Sequence, residues 1–488
     1  MTTRGGSAVG VATVLTCVAV SGCACSVGRT PDDSGARLDA HGADVVSIDA
    51  FDPADGALHD CAFVRTDRPP IPAVPRIGPG RETIDLSRWG IASDGTDAEA
   101  TTNGLNAALI DASMRGIGEV HVPAGEYLLG VTVEPRLTTG LDIPDAMRVV
   151  FDPGAIVRMR PNASRDQCLV RITGHDVWIE GGRFIGDRDA HTFPEGVSLD
   201  GGILLDEAHV FCIEESSERI EIARVYVEGA VADGIFVVAL DAPGAHASDI
   251  WIHDSELARN GRQGISIVGA RRVRIEDNFI HDTNGIQPEF GIDVEAPRYS
   301  NADIWIHHNR FEANVAGHVA NTDGRNVWIE DNDCVQGTLA RERGGHRDAP
   351  IFFHDHTETT IVDNRIEMSG GTEGGGDFAI RGEIHHADDR PGLAEHGTII
   401  EHNTVVGGGI HSDRFDRTWI ERNVVREGAI FSEDVTCHVL IDNDVANAGS
   451  FGGRDYALRR ARGFDSGNLS DGEDVSLGMS LDTPTSRE

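Results

Sequence analysis

Lysine is absent from this chain: its 42 basic residues are all arginines, set against 80 acidic ones, for a formal net charge of −38 over 488 residues. A surface this negative repels phosphate backbones, so nucleic acid is not expected as a partner. Its physical uses are solubility, cation binding and tolerance of high salt, as in a halophilic setting. Aromatics are scarce at 6% while glycine is abundant at 58 residues, a balance that favours turn-rich β structure over helices. Beyond the N-terminal segment no run approaches the ~18 apolar residues of a bilayer-spanning helix. The 8 cysteines show neither a CxxC pair nor zinc-ligand spacing. Cys168, Cys212, Cys334 and Cys437 fall mostly in apolar strand contexts and are expected as buried free thiols.

The chain divides into four parts. Residues 1–23 read as an export signal: one arginine, then small and apolar residues from Ser7 to Val20, then Val20-Ser21-Gly22-Cys23. The last four residues resemble a bacterial lipobox, which implies lipidation of Cys23 and an extracellular, cell-surface location. Residues 24–80 are rich in Asp, Pro, Gly and Ala, including Arg68-Pro69-Pro70-Ile71-Pro72, and are expected as a disordered tether. Residues 81–462 carry the folded domain, and residues 463–488 read as an acidic disordered tail.

An internal repeat dictates the fold of the central part. Apolar anchors stand at Ile179, Ile222, Ile252, Ile275, Ile306, Ile329, Ile361, Ile400, Ile420 and Leu440. Apolar partners follow five positions later, at Phe184, Val227, Leu257, Ile280, Phe311, Cys334, Ile366, Val405, Val425 and Val445. Between them, Asn278, Asn309, Asn332, Asn364, Asn403, Asn423 and Asn443 recur at the third position. Asn suits the left-handed conformation of a tight turn, and amides stacked in register can ladder from coil to coil. A second column follows glycine at Gly234-Ile235, Gly264-Ile265 and Gly291-Ile292. This pattern predicts an all-β, right-handed parallel β-helix. Thr96-x-x-Glu99 forms a capping box ahead of Leu105, Ala108, Leu109 and Ala112, which predicts a short helix capping the open N-terminal end.

Trp89-Gly90-Ile91-Ala92-Ser93-Asp94-Gly95-Thr96-Asp97 and Glu119-Val120-His121-Val122-Pro123-Ala124-Gly125-Glu126-Tyr127 resemble the opening motifs of the pectate lyase/polygalacturonase-like superfamily. With the repeats, the resemblance covers roughly residues 82–450 and implies the pectin-lyase-like solenoid and a carbohydrate ligand. The polygalacturonase catalytic pattern itself is missing, and without lysine its substrate-binding residue cannot be supplied.

The candidate site lies where the repeat departs most from monotony. Arg262-Gln263-Gly264-Ile265-Ser266 is followed a coil later by Gly291-Ile292-Asp293-Val294-Glu295, resembling a pair of motifs in β-helix proteins of that superfamily. With Ile292 and Val294 inward, alternation puts Asp293 and Glu295 outward, their Cα atoms roughly 7 Å apart. Such a pair can split its pKa values and serve as acid and base on a glycosidic bond, or hold Ca²⁺ that bridges to a uronate. Arg262 is the candidate for binding an acidic sugar or acting as the base of β-elimination, and Gln263 and Asp233 for positioning the sugar. Asp187, Arg188 and His191, in Gly186-Asp187-Arg188-Asp189-Ala190-His191, are expected to wall the cleft and contact substrate. The expectation is thus an exported enzyme, a glycoside hydrolase or polysaccharide lyase, acting on a polysaccharide in a groove of the outer face. Its membrane contact is through a lipid anchor only. The alternative is a non-catalytic surface protein that binds glycan or serves as a spike.

Overall fold

The computed structural model describes residues 65–475 except 131, 134–137, 194–206, 240–245, 296–300, 337–348, 355–356, 369–377, 384–396, 414–416, 434–436, 447–455 and 462. It also describes Leu477 and the backbone at 14–15, 44–52, 57–64 and 485–486. The expected leader therefore lies outside the described residues, apart from the short strand Val14–Leu15. Three sheets of 14 strands each run the length of the domain. Each turn of the chain gives one strand to each sheet. Ile265–Val268 lies on the first face, Ala270–Glu276 on the second and Phe279–His281 on the third. The chain then returns to the first face at Phe290–Val294, parallel to Ile265–Val268.

The apolar anchors form one column on the second face, in register from Ile179 to Leu440. Their partners form a column on the third face, from Phe184 to Val445. All are buried in one continuous core. Burying each aliphatic side chain stabilises by about 2 kcal/mol, so the repeat itself is the main source of cohesion. On the first face Ile235, Ile265 and Ile292 line up, each behind a glycine. A Cβ at Gly264 would sit 2.5 Å from both the Gly291 carbonyl and Ile280 Cγ2, so close coil contact demands glycine there.

Between the second and third faces the asparagines ladder. Asn364 Oδ1 accepts from the backbone N–H and the Nδ2 of Asn332, at 3.0 and 2.9 Å. Its own Nδ2 donates to Ile329 O and to Asn403 Oδ1, at 2.8 and 3.0 Å. The same pattern runs from Asn278 to Asn468. Contrary to the sequence expectation, the left-handed residue of each turn is the one before the asparagine: Asp277, His308, Asp331, Asp363, His402, Arg422 and Asp442 all have φ between 50 and 56°. The asparagine is left to satisfy buried backbone groups.

Helix Ala98–Met114 caps the N-terminal end through buried Leu105, Ala108, Leu109 and Ala112. Its N-cap is Asp97 rather than Thr96, whose hydroxyl instead donates to Asp94 at 2.6 Å. The expected tether contains an antiparallel hairpin, Asp44–Asp52 with Ala57–Arg65, and then a docked arm. Arg68 pairs with Glu330 and lies over Trp305 and Trp328. The Ala73 and Arg76 N–H groups donate to Asp249 and Asp176, two coils apart, at 3.0 and 2.7 Å. Three residues of polyproline helix span about 9.3 Å, close to two coil steps of about 4.8 Å. The prolines thus fit the arm to the solenoid instead of freeing it. The expected tail also starts too early: Gly463–Ser466 pairs with His438–Ile441, and Asn468 ends the ladder.

Cys168 and Cys212 are a disulfide, with Cα atoms 5.8 Å apart, rather than two free thiols. Though 44 residues apart in sequence, they lie on adjacent coils, whose strand spacing falls within bridging distance. Cys437 is disulfide-bonded too, and Cys334 is free and buried.

Replacing Asn364 by alanine leaves the buried Asn332 N–H and Ile329 carbonyl short of partners, a loss of about 3 kcal/mol. Urea denaturation should show that loss for Asn364→Ala and almost none for Asn103→Ala, whose side chain is exposed on the cap helix.

Candidate active site on the first face

Parallel register brings the strongest candidates together. Asp293 stands on strand Phe290–Val294, level with Ser266 one coil earlier and Ala320 one coil later; Phe236 lies beyond Ser266. Glu295 follows, its N–H donating to Ile267 O at 3.0 Å. Arg262 and Gln263 occupy the turn leading into Ile265–Val268, and Asp233 the equivalent turn one coil earlier.

The side chains form a chain of contacts. Gln263 Nε2 donates to Asp293 Oδ2 at 2.7 Å, while Gln263 Oε1 accepts the Phe290 N–H at 3.0 Å. Arg262 Nη1 donates to Asp233 Oδ2 at 3.3 Å, and its Nη2 donates to Glu295 Oε1. Ser266 Oγ reaches the same Glu295 oxygen at 3.4 Å. Asp233 and Glu295 thus share one guanidinium, while Asp293 is held by Gln263. Asp293 is 2% exposed and Asp233 fully buried, whereas the Glu295 side chain keeps 29% of its surface. Asp293 Oδ1 and Asp233 Oδ1 are buried with no hydrogen-bond partner. The outward position thus matches the expected alternation, but Asp293 is not the solvated carboxylate of an ordinary strand surface.

Burial, followed by the Glu295 charge beside it, pushes the Asp293 carboxyl well above the ordinary range, against the opposing pull of Arg262. Burial works against the Arg262 charge, but Asp233, Glu295 and Asp293 outweigh it and hold the guanidinium above its usual value. An arginine so held cannot act as the base of an elimination; it fixes Asp233 and Glu295 in place. Nor do these residues suit calcium. Arg262 takes Glu295 and Asp233 while Gln263 takes Asp293, and no group of three or more His, Cys, Asp or Glu among the described residues is placed to hold a metal.

Asp187, Arg188 and His191 form a separate knot. Asp187 accepts from the Asn162 N–H and Nδ2, from Gln167 Nε2 and from His191 Nδ1, at 2.9 to 3.1 Å. Arg188 braces the Arg259 carbonyl and Asn284 Oδ1, both at 2.7 Å. With its carboxylate fully used inside the fold, Asp187 ties a turn to neighbouring coils, and the expected substrate wall is a set of braces.

The family described as a right handed beta helix region matches residues 244–425. The SPbeta prophage-derived uncharacterized protein YorA of Bacillus subtilis (strain 168) is 28% identical over 314 residues, covering 60% of this chain and 51% of YorA. This chain spans about half the length of the curated relatives it matches. Among solved structures, the bacteriophage phi29 gene product 12 N-terminal fragment shares 12% identity at a TM-score of 0.52, over 81% of this chain and 73% of that one. The A-module of the Azotobacter vinelandii mannuronan C-5 epimerase AlgE6 shares 15% identity at a TM-score of 0.49, over 80% of this chain and 99% of that one. The fold is a right-handed parallel β-helix. At these identities the structural likeness speaks to the β-helix alone.

One participant escaped the sequence reading. His209 Nδ1 lies 3.3 Å from both the N–H and Oδ2 of Asp233, and its ring stacks on Phe236 at 4.1 Å. Its Nε2 is buried without a partner. Among 21 histidines it carried no motif, and only the coil register places it beside Asp233.

The shifted carboxyl has a consequence for stability. Unfolded aspartate ionises near pH ~3.9, whereas in the fold burial moves the Asp293 ionisation well above that. The fold therefore holds the extra proton between the two values, and this group's contribution to stability declines as pH rises above ~4. Asp293→Asn removes the titration. Its melting temperature should match that of the parent near pH ~4 and exceed it increasingly as pH rises above that. A gap that does not change with pH would show an ordinary, ionised Asp293.

Proposed function

We propose that this protein is an exported, polysaccharide-active enzyme that hydrolyses glycosidic bonds by acid–base catalysis on the first face. The observation that carries the reading is the buried cluster itself. Three carboxylates against one arginine cost stability, and the same column is filled by Ser266 and Ala320 in the adjacent coils. A repeat that could be apolar here and is instead charged and strongly titration-shifted has the character of a working site.

In this mechanism Asp293 carries the proton. It passes to the glycosidic oxygen as the bond from that oxygen to the anomeric carbon breaks. Glu295, the accessible carboxylate, takes a proton from the water that attacks the anomeric carbon, and proton exchange with solvent restores both groups. Arg262 orients Glu295, and Gln263 orients Asp293. Because Asp293 lies beneath the surface, productive binding has to open the site around it. The parallel strands beside the pair offer a long surface suited to an extended chain.

Export and anchoring through Cys23 belong to the same proposal. The Cys168–Cys212 disulfide supports an oxidising compartment, since such bonds persist mainly outside the cytosol.

The test is release of reducing ends from a polysaccharide panel. Asp293→Asn and Glu295→Gln should each lower turnover by about 10²–10⁴-fold while binding survives. Binding by the parent protein with no reducing ends from any substrate would replace the enzyme by a glycan-binding surface protein.

A further inference from the structure

The charge pattern of the first face identifies the class of glycan, an inference that rests on the site reading above. A polymer of acidic sugars needs cations to receive its carboxylates. On the strands of this face between Asp166 and Glu433 the arginines are Arg171 and Arg381. Arg171 is held by both oxygens of Glu214, at 2.6 and 3.0 Å, and Arg381 is paired with Glu383. In the site, Arg262 is divided between Asp233 and Glu295. Acids outnumber them and meet one another across adjacent coils: Asp166 faces Glu207, and Asp413 faces Glu433. Burial, with Glu207 next to it, pushes Asp166 up to about 6.

A uronate entering this site has two choices, both unfavourable. It either sits against the carboxylates without a counter-ion or takes Arg262 from Glu295 and leaves that carboxylate unpaired. The groups that do want a ligand are the unpartnered Asp233 Oδ1, on the far side of Arg262 from Glu295, and His209 Nε2, whose ring contacts Asp233 from the coil before, both buried. They are polar atoms suited to hydroxyls and amines. We propose that the first face takes a glycan free of acidic groups, built of neutral or amine-bearing sugars, and discriminates against polyuronides through its three site carboxylates and committed arginines.

Whole-molecule charge of −38 would also repel a polyuronide, so the test separates the site from the surface. The purified full chain carrying Asp293→Asn, to prevent turnover, is titrated calorimetrically with length-matched neutral β-glucan, chitosan, oligogalacturonate and oligomannuronate fragments. Titrations run at ~0.1 M and ~1 M salt, the second screening all but the nearest charges, each with calcium or EDTA. The proposal expects a neutral or amine-bearing fragment to bind at least about tenfold more tightly than either uronate at both salt concentrations. The neutral and chitosan arms tell hydroxyl from amine recognition. Adding Asp233→Asn, which releases Arg262 from one partner, should narrow the gap to the uronates. A uronate that binds best, or that matches the others once salt or calcium is added, overturns the substrate class and leaves the polysaccharide reading standing. If no fragment binds, or binding is untouched by adding Glu295→Gln and Arg262→Ala, the site reading falls and takes this inference with it.

Discussion

Parallel hydrogen bonding that stacks each coil directly on the last is the constraint on which everything else rests. Strands about 4.8 Å apart in strict register turn each position of the repeat into a column running along the solenoid. One column becomes the aliphatic core, another the asparagine ladder, another the glycines that permit close approach. Stacking of adjacent coils also makes neighbours of dispersed positions, in register for His209 and Asp233 and across offset positions for the others. Cys168 meets Cys212, His209 meets Asp233, and Arg262 meets Glu295, although none of these pairs is adjacent in the chain.

The outward columns face no comparable demand, and that freedom marks the site. Most outward positions solve their electrostatics locally. Asp176 and Asp249, for example, are each clasped by a single arginine, Arg219 and Arg272, and the N-terminal arm donates to both acids. Around Arg262 the carboxyl groups outnumber the cation, and two of them, Asp233 and Asp293, are buried rather than exposed to solvent. A fold that can satisfy charges so simply elsewhere retains an unbalanced cluster here, which favours a role in chemistry over one in cohesion.

The columns were legible in the sequence because a period of apolar residues and asparagines is a one-dimensional signal. The anchor column from Ile179 to Leu440 and the outward placement of Asp293 beside Ser266 both follow from counting. What could not be counted was any contact depending on loop lengths between coils. The disulfide spans 44 residues, so its cysteines looked remote. The prolines of residues 69–75 read as a spacer because proline disfavours sheet. A surface ladder of acids spaced to receive polyproline backbone is invisible until coils are stacked. Asp187 and Arg188 drew attention as a motif, yet their partners, from Asn162 to Asn284, make them braces. His209 drew none and lies at the site.

The acid role of Asp293 requires that it hold its proton well above the pH at which a free aspartate ionises. Infrared difference spectroscopy of the parent protein against Asp293→Asn reads this directly, through the carbonyl stretch of a protonated carboxyl group. Such a band should persist as pH is raised past ~4, where a free aspartate has ionised, and should be lost in the variant. A carboxylate band for Asp293 already near pH ~4 would contradict that role, and the cluster would then be an ion-paired feature without an acid to offer.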